Sequence, residues 1–287
     1  MTGPELRALA RTATRTIPWR DLAPMSRGEG IVECLHPVPW LVGSWIVASG
    51  PWWPLAVPCA FMFFLTALRL NHEAIHHNLG FGARGHQIVL HGLSLTMLGS
   101  NHAIAWNHLE HHRHIGTERD HEGACGRMSW RAVLAYGPRF PLDNHRNAWR
   151  GGGPAIRRRM TVDLALNAVI PLAALATGWF ALAQHIALML VAQCLTAFFA
   201  VWITHQGCDE HGLVARTQRA RWVNFLTYNM FFHLEHHLFP GVPVKRLPRL
   251  AERLDRAFPE IAGAAKRVVA WPDPFGRAAI AAEPRAS

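Results

Sequence analysis

The sequence predicts an all-α integral membrane protein, with about four transmembrane helices in two hairpins and a cytoplasmic helical cap that carries clustered histidines. Three observations predict it. Half of the 287 residues are hydrophobic and only 17% are charged, against roughly 25% in soluble domains. Two long stretches, Val38 to Leu68 and Leu164 to Cys208, contain no Asp, Glu, Lys or Arg. The pentapeptide HLEHH occurs at His108 to His112 and again at His233 to His237, although independent placement would produce an H-x-x-H-H pattern roughly 0.08 times in such a chain.

Before the first apolar stretch, Arg7, Arg11 and Arg15 recur at four-residue spacing, so a helix there carries one cationic stripe facing water or headgroups. Residues 1–30 read as a basic cytoplasmic segment. The stretch from Val38 to Leu68 is cut by Gly50-Pro51-Trp52-Trp53-Pro54. It accommodates two spans of about 20 residues only if the first begins near Ile31 and takes Glu33 and His36 into the interface. The stretch from Leu164 to Cys208 suits two spans that turn at Ala176-Thr177-Gly178-Trp179, with Pro171 bending the first of them. Neither turn contains a basic residue, whereas Arg-rich segments surround the other helix ends. The positive-inside rule then sets both turns outside and the remainder in the cytoplasm.

Gly85 to Leu109 is also free of charge apart from histidine. If it crossed, the histidines on either side of it would be separated by the bilayer, so it is read as an interfacial or re-entrant helix. Pro138 to Arg159, with Gly151-Gly152-Gly153-Pro154, reads as a cytoplasmic loop. Leu247, Leu250, Leu254 and Phe258 at helical spacing predict an amphipathic helix. Residues 31–260 form the expected main domain and 261–287 a flexible tail.

The net charge of +10 comes almost entirely from Arg scattered outside the apolar stretches, with no nucleic-acid-binding pattern, so nucleic acid is excluded as a partner. The five cysteines are odd in number and widely spaced, which argues against a disulfide framework.

Positions i, i+3 and i+4 share a helix face. His108, His111 and His112 therefore project together, as do His233, His236 and His237, and His72 and His76 lie one turn apart. In the topology above all three clusters emerge on one side. Eight imidazoles exceed what one zinc uses and suit two metal ions with open positions. Ligand type alone leaves Zn, Cu, Fe and Ni as choices.

HEAIH, HLEHHRHIGTERDHE and NMFFHLEHHLFPGVPVKRLP resemble the three histidine boxes of the membrane fatty acid desaturase superfamily, over roughly residues 35 to 260. The resemblance implies a four-helix stem under a cytoplasmic cap and two non-haem Fe ions held mainly by His. It also implies O2 as co-substrate and removal of hydrogen from an unactivated C–H bond. Carried over by position, His72 and His76 match the first box, His108, His111 and His112 the second, and His233, His236 and His237 the third. His205 stands where members have an additional ligand. Glu73 replaces the usual Asp beside the first box, and His77 follows it as a further ligand or neighbour. Val201 occupies the position of the family's water-holding Asn, leaving Asn229 as a substitute near the third box. Glu110 and Glu235, equivalent in the two HLEHH copies, either orient imidazoles or are solvated.

A fatty acyl chain in a membrane lipid is the favoured substrate, with a carotenoid ketolase or hydroxylase, or another lipid hydroxylase, as the alternative within the same superfamily. HEAIH also satisfies the H-E-x-x-H motif of zinc proteases, a reading that leaves both HLEHH copies without a role, as does a non-enzymatic metal carrier lacking redox chemistry. The chain contains no haem-binding box, flavin fingerprint or iron–sulfur cysteine set, so electrons are expected from a ferredoxin or cytochrome b5-like donor.

Overall fold

The computed structural model describes residues 1–208 and 212–269. It is helical throughout, without a named strand among the described residues. Helix α1 (Gly3–Thr16) opens on a capping box in which Thr2 and Glu5 satisfy each other's backbone N–H groups. Its Arg7, Arg11 and Arg15 are exposed while Leu6, Ala10 and Ala13 are buried.

Four helical segments are long and apolar enough to cross a membrane. The first, Arg27–Ala48, joins α2 (Arg27–Leu35) and α3 (Val38–Ala48), and the second, Trp53–Ile75, contains α4 (Ala56–Ile75). The first therefore begins a turn earlier than the sequence placed it. Glu33 is buried, and Arg69 of α4 grips its carboxylate with two nitrogens at 2.8 and 3.1 Å. A bidentate guanidinium contact makes this burial tolerable, since either charge alone would be severely destabilising.

Beyond the second span, α5 (Ala83–Met97) and α6 (Asn101–His114) form a pair separated by a break at Leu98 to Ser100. Leu98 adopts a left-handed φ of 58°, which ends α5. Gln193 donates to the carbonyls of Met97 and Leu98, both at 2.8 Å, and so satisfies the end of the helix. Neither helix is long and apolar enough to be a span. The single interfacial helix expected over residues 85–109 is thus two helices, broken where the Gln193 amide donates to the end of the first.

A larger correction concerns residues 138–159, read from the sequence as a loop. They fold as α8 (Phe140–Gly151), after a short α7 (Trp130–Tyr136), and as the start of α9 (Gly153–Asn167). The glycine run marks only the joint, where Gly153 takes a φ of 68° and Pro154 sits in the first turn of the next helix, a position that needs no N–H. The third span, Gly153–Thr177, continues from α9 into α10 (Val169–Thr177). The helix is interrupted at Ala168, within the turn preceding Pro171, as expected where that proline removes a donor. Gly178, at φ 63°, makes the predicted turn. The fourth span, Phe180–His205, comprises α11 (Phe180–Thr196), a π-helical stretch Ala197–Trp202 and α12 (Ile203–His205).

Trp45 near the end of the first span and Trp179 between the third and fourth meet edge to face at 5.9 Å, so both hairpin turns lie at one end of the bundle. The remaining helices gather at the other end. They are α13 (Arg221–Leu226), α14 (His233–Leu238), α15 (Leu247–Ala257) and α16 (Pro259–Ala264). Leu247, Leu250 and Leu254 of α15 pack with Leu6, Ala10 and Ala13 of α1 in one buried cluster. The expected amphipathic helix therefore packs against protein. Ile261 and Ala265, inside the stretch read as tail, are buried in the same cluster. Residues 270–287, the rest of that stretch, lie outside the described residues.

Glu33→Ala should lower stability by about 3–5 kcal/mol, because it leaves Arg69 buried without its carboxylate. Glu33→Leu combined with Arg69→Met should recover most of that loss. The thermal unfolding midpoint of detergent-solubilised protein measures both.

Candidate metal centre

The end of α4 presents His72 and His76, α6 presents His108, His111 and His112, α12 presents His205, and α14 presents His233, His236 and His237. The four segments meet. His72 Nε2 lies 2.9 Å from His236 Nε2, His76 Nε2 3.1 Å from His108 Nε2, and His112 Nε2 3.2 Å from His108 and 3.0 Å from His236. In a second group, His233 Nε2 is 2.9 Å from His205 and 3.1 Å from His237, and His111 faces both His205 and His237 edge to face. The two groups adjoin where His112 stacks on His237 at 4.4 Å.

The opposite nitrogens explain the orientation. His111 Nδ1 bonds Asp120 at 2.8 Å, His108 Nδ1 bonds Glu122 at 3.1 Å, and His205 Nδ1 donates to the Val214 carbonyl at 2.9 Å. Each of these rings spends its proton outward and turns a bare Nε2 inward, an arrangement typical of metal-binding imidazoles. His111 Nε2 is buried and has no hydrogen-bond partner. Lone pairs facing one another at such distances repel unless cations lie between them. The donor set therefore fits two metal ions, and its all-nitrogen character suits iron as well as zinc or copper.

Burial, followed by the neighbouring imidazoles, holds His112, His233, His236 and His237 well below the ordinary histidine range. They are neutral and available as ligands. At His111 burial acts in the same direction, but the Asp120 hydrogen bond and the charges of Glu122 and Asp120 outweigh it and raise the pKa. For Asp120 and Glu122 burial works upward, yet their contacts with His111 and His108 leave both carboxyls lowered.

The other residues singled out from the sequence are placed elsewhere. Glu73, fully buried, accepts from the Val244 backbone N–H and so ties the end of α4 to the segment after α14, not to an imidazole. His77, at φ 59°, turns away and stacks on His86 at 4.6 Å. Glu110 pairs with Arg113 on the surface. Glu235, its counterpart, is buried and bonds Thr217 at 2.7 Å and Arg219 at 2.5 Å. Asn229 sits in a left-handed turn at φ 64°, its carbonyl accepting from the Phe232 N–H at 3.2 Å. Sequence reasoning passed over Asp120 and Glu122, which alternate with exposed His121 just after the second box. That D-H-E triplet following HLEHHRH was the available signal.

A third group, His91, His102 and Asp163, is internally satisfied. Asp163 accepts from both rings, at 2.6 and 2.8 Å, from Ser100 Oγ at 2.6 Å and from the His102 backbone at 3.2 Å. It clamps the first turn of α6 to the third span, and thereby the helix that carries the second box.

Below His72, His108 and His233 lies an apolar cavity of about 690 Å³ that runs between Phe61, Leu65 and Phe199 toward Arg216 and Thr227. The π-helical stretch contributes Phe198 to Trp202 to its wall, a placement common for such stretches at functional sites.

A sequence profile described as fatty acid desaturase matches residues 50–268, which include all of these histidines. The chain belongs to the fatty acid desaturase family. Among curated relatives, the sphingolipid delta(4)-desaturase DES1 of Drosophila melanogaster is 27% identical over 229 residues, 73% of this chain and 68% of that protein. As a member of a lipid desaturase family with four candidate spans, the chain is a multi-pass membrane protein and an oxidoreductase of the desaturase type. Its histidine groups are consistent with the family's metal chemistry.

Asp120→Asn and Glu122→Gln should each weaken metal binding about 10–100-fold, whereas Glu110→Gln, inside the HLEHH pentapeptide itself, should leave it unchanged. Competitive chelator titration of the purified protein measures this. Metal uptake displaces the raised His111 proton, so affinity should fall as pH drops below that group's folded value, by on the order of tenfold per unit for one released proton.

Proposed function

We propose that this desaturase family member is an O2-dependent fatty acyl lipid desaturase. In this reading His72, His76, His108, His112 and His236 hold one iron, and His111, His205, His233 and His237 hold the other. The carrying observation is the meeting of these nine imidazoles, three of which, His72, His108 and His233, line the apolar cavity. A bound iron pair supplies the O2 reduction and the oxidising strength that an unactivated C–H bond requires. The chain's own residues supply everything around it. Asp120 and Glu122 hold His111 and His108 in register through their Nδ1 protons. Phe64, Leu65, Leu68 and Ile75 give the methylene chain an apolar bed and exclude water from the reacting carbons. The cavity volume lies in the ordinary range for sites that enclose a ligand. The positive-inside pattern of Arg residues supports placing the histidine end on the cytoplasmic side.

One observation favours a chain with a hydrogen-bonding group close to the reacting carbons. Asn71 and Asn101 are both buried, line the cavity, and have Oδ1 atoms without a partner. A hydroxyl or amide N–H on the substrate would satisfy them. The sphingolipid activity named for the Drosophila relative supports the same reading.

Iron analysis of the purified protein together with lipid profiling of an expressing host tests the proposal. Two irons per chain and a new double bond in an acyl or long-chain-base lipid are expected. One zinc per chain, or oxidation of a carotenoid ring only, would overturn it. His236→Ala should abolish the lipid product. Asn71→Leu should reduce turnover of a hydroxylated or amide-bearing chain at least about tenfold while sparing a plain acyl chain, because a polar partner would be lost from a buried site.

A further inference from the structure

We infer that the groove between α8 and the loop over residues 121–128 is the docking site for an acidic one-electron carrier protein. This inference rests on the desaturase reading and adds a place and a chemistry for the electron donor. Removing two hydrogens from a CH2–CH2 pair yields two electrons and two protons, and reducing O2 to two waters consumes four of each. The balance, RCH2CH2R′ + O2 + 2 e⁻ + 2 H⁺ → RCH=CHR′ + 2 H2O, therefore needs two electrons from outside. The sequence contains no carrier of its own, so a partner delivers them.

The groove is about 380 Å³ and is lined by His121, Met128, Tyr136, Arg139, Arg146 and Arg150, among others. Arg139, Arg146 and Arg150 fall on one face of α8, at four- and seven-residue steps. The side chains of Arg139 and Arg146 are 69% and 59% exposed. Asp143 shares the stripe, bonding Arg139 at 3.0 Å and reaching Arg146 only at 3.9 Å, so three cations face one carboxylate. The stripe stays positive and suits an anionic partner.

What makes it a docking site for electrons is its position. His121 forms one wall of the groove and is exposed, and its two chain neighbours are Asp120 and Glu122, whose carboxylates bond His111 and His108. A redox group seated over His121 is thus one residue and one hydrogen bond from each of the two imidazole groups. Met128, at the far end of the same loop, accepts at its backbone carbonyl from Trp202 Nε1 at 2.8 Å, and Trp202 lines the apolar cavity. Anionic lipid is the competing occupant of a basic surface. Leu142 and Trp149, the apolar residues exposed on α8, do not line this groove.

The test uses full-length protein in neutral phosphatidylcholine nanodiscs, with plant-type ferredoxin and the soluble domain of cytochrome b5 as acidic probes. Carrier affinity is read on the metal-loaded protein without substrate, and turnover is read with carrier or with dithionite as reductant. Arg146→Glu with Arg150→Glu is expected to raise Kd and the carrier KM at least tenfold for one of the probes, with dithionite-driven turnover unchanged. Arg146→Gln with Arg150→Gln should give an intermediate effect. Arg7→Glu with Arg11→Glu, the same charge change on α1, should shift either quantity less than twofold. Raising salt from low to moderate ionic strength should weaken wild-type binding much more than that of the reversed variant. Equal affinity of wild type and reversed variant for both carriers would overturn the inference, as would loss of binding only to anionic vesicles. Failure of dithionite-driven turnover in the wild type would count against the desaturase reading alone, since carrier affinity is measured independently of turnover.

Discussion

Nine imidazoles with inward-facing nitrogens, packed into a buried volume, form an arrangement that is unfavourable unless positive charge lies between them. Neutral rings can each donate only one proton, and at His108, His111 and His205 that proton is committed to a carboxylate or carbonyl behind the ring. The inward nitrogens are left as lone pairs at about the separation of a shared ligand shell. Much of the remaining architecture can be understood as a means of holding this cluster together. Asp120 and Glu122 anchor two rings from behind, Glu73 pins the end of α4 to Val244, and Glu235 locks α14 to Thr217 and Arg219.

The membrane stem serves the same end. Two hairpins return the chain to its starting side, so the end of the second span and the end of the fourth finish near each other with His76 and His205 in place. The Glu33–Arg69 pair joins the first two spans close to that end, and Asp163 joins the third span to α6. Both are buried charges whose carboxylate oxygens are all hydrogen-bonded. They set geometry more than they add stability, because desolvation offsets most of the attraction between such groups. The apolar cavity follows from this geometry. Its upper wall is the face of the histidine cluster, and its sides are the apolar faces of the second and fourth spans, including Phe198 to Trp202 where the fourth becomes π-helical.

The two copies of HLEHH show how far a motif carries. In both copies the three histidines project together, as helical spacing requires. The central glutamates differ completely: Glu110 is on the surface beside Arg113, whereas Glu235 is buried between Thr217 and Arg219. Identical pentapeptides therefore predict their ring positions and not their acidic residue. The glycine run at residues 151–153 misled in a related way. It marks a joint between helices, since a left-handed φ at one residue is compatible with helix on either side.

Composition, uncharged stretches and histidine spacing were enough to establish a helical membrane protein, its four spans and the rings that would gather, because these depend on burial of apolar length and on helical periodicity along a local segment. Tertiary structure alone decided which carboxylates stand behind the rings, that α5 and α6 are separate helices, that α8 exists, and where the cavity and the basic groove lie. The break between α5 and α6 and the tie from α6 to the third span arise from contacts between residues distant in the chain, such as Gln193 with Met97 or Asp163 with His102. No local pattern encodes them, since the same Asp, Glu or Gln is equally at home on a solvated surface until folding removes the water.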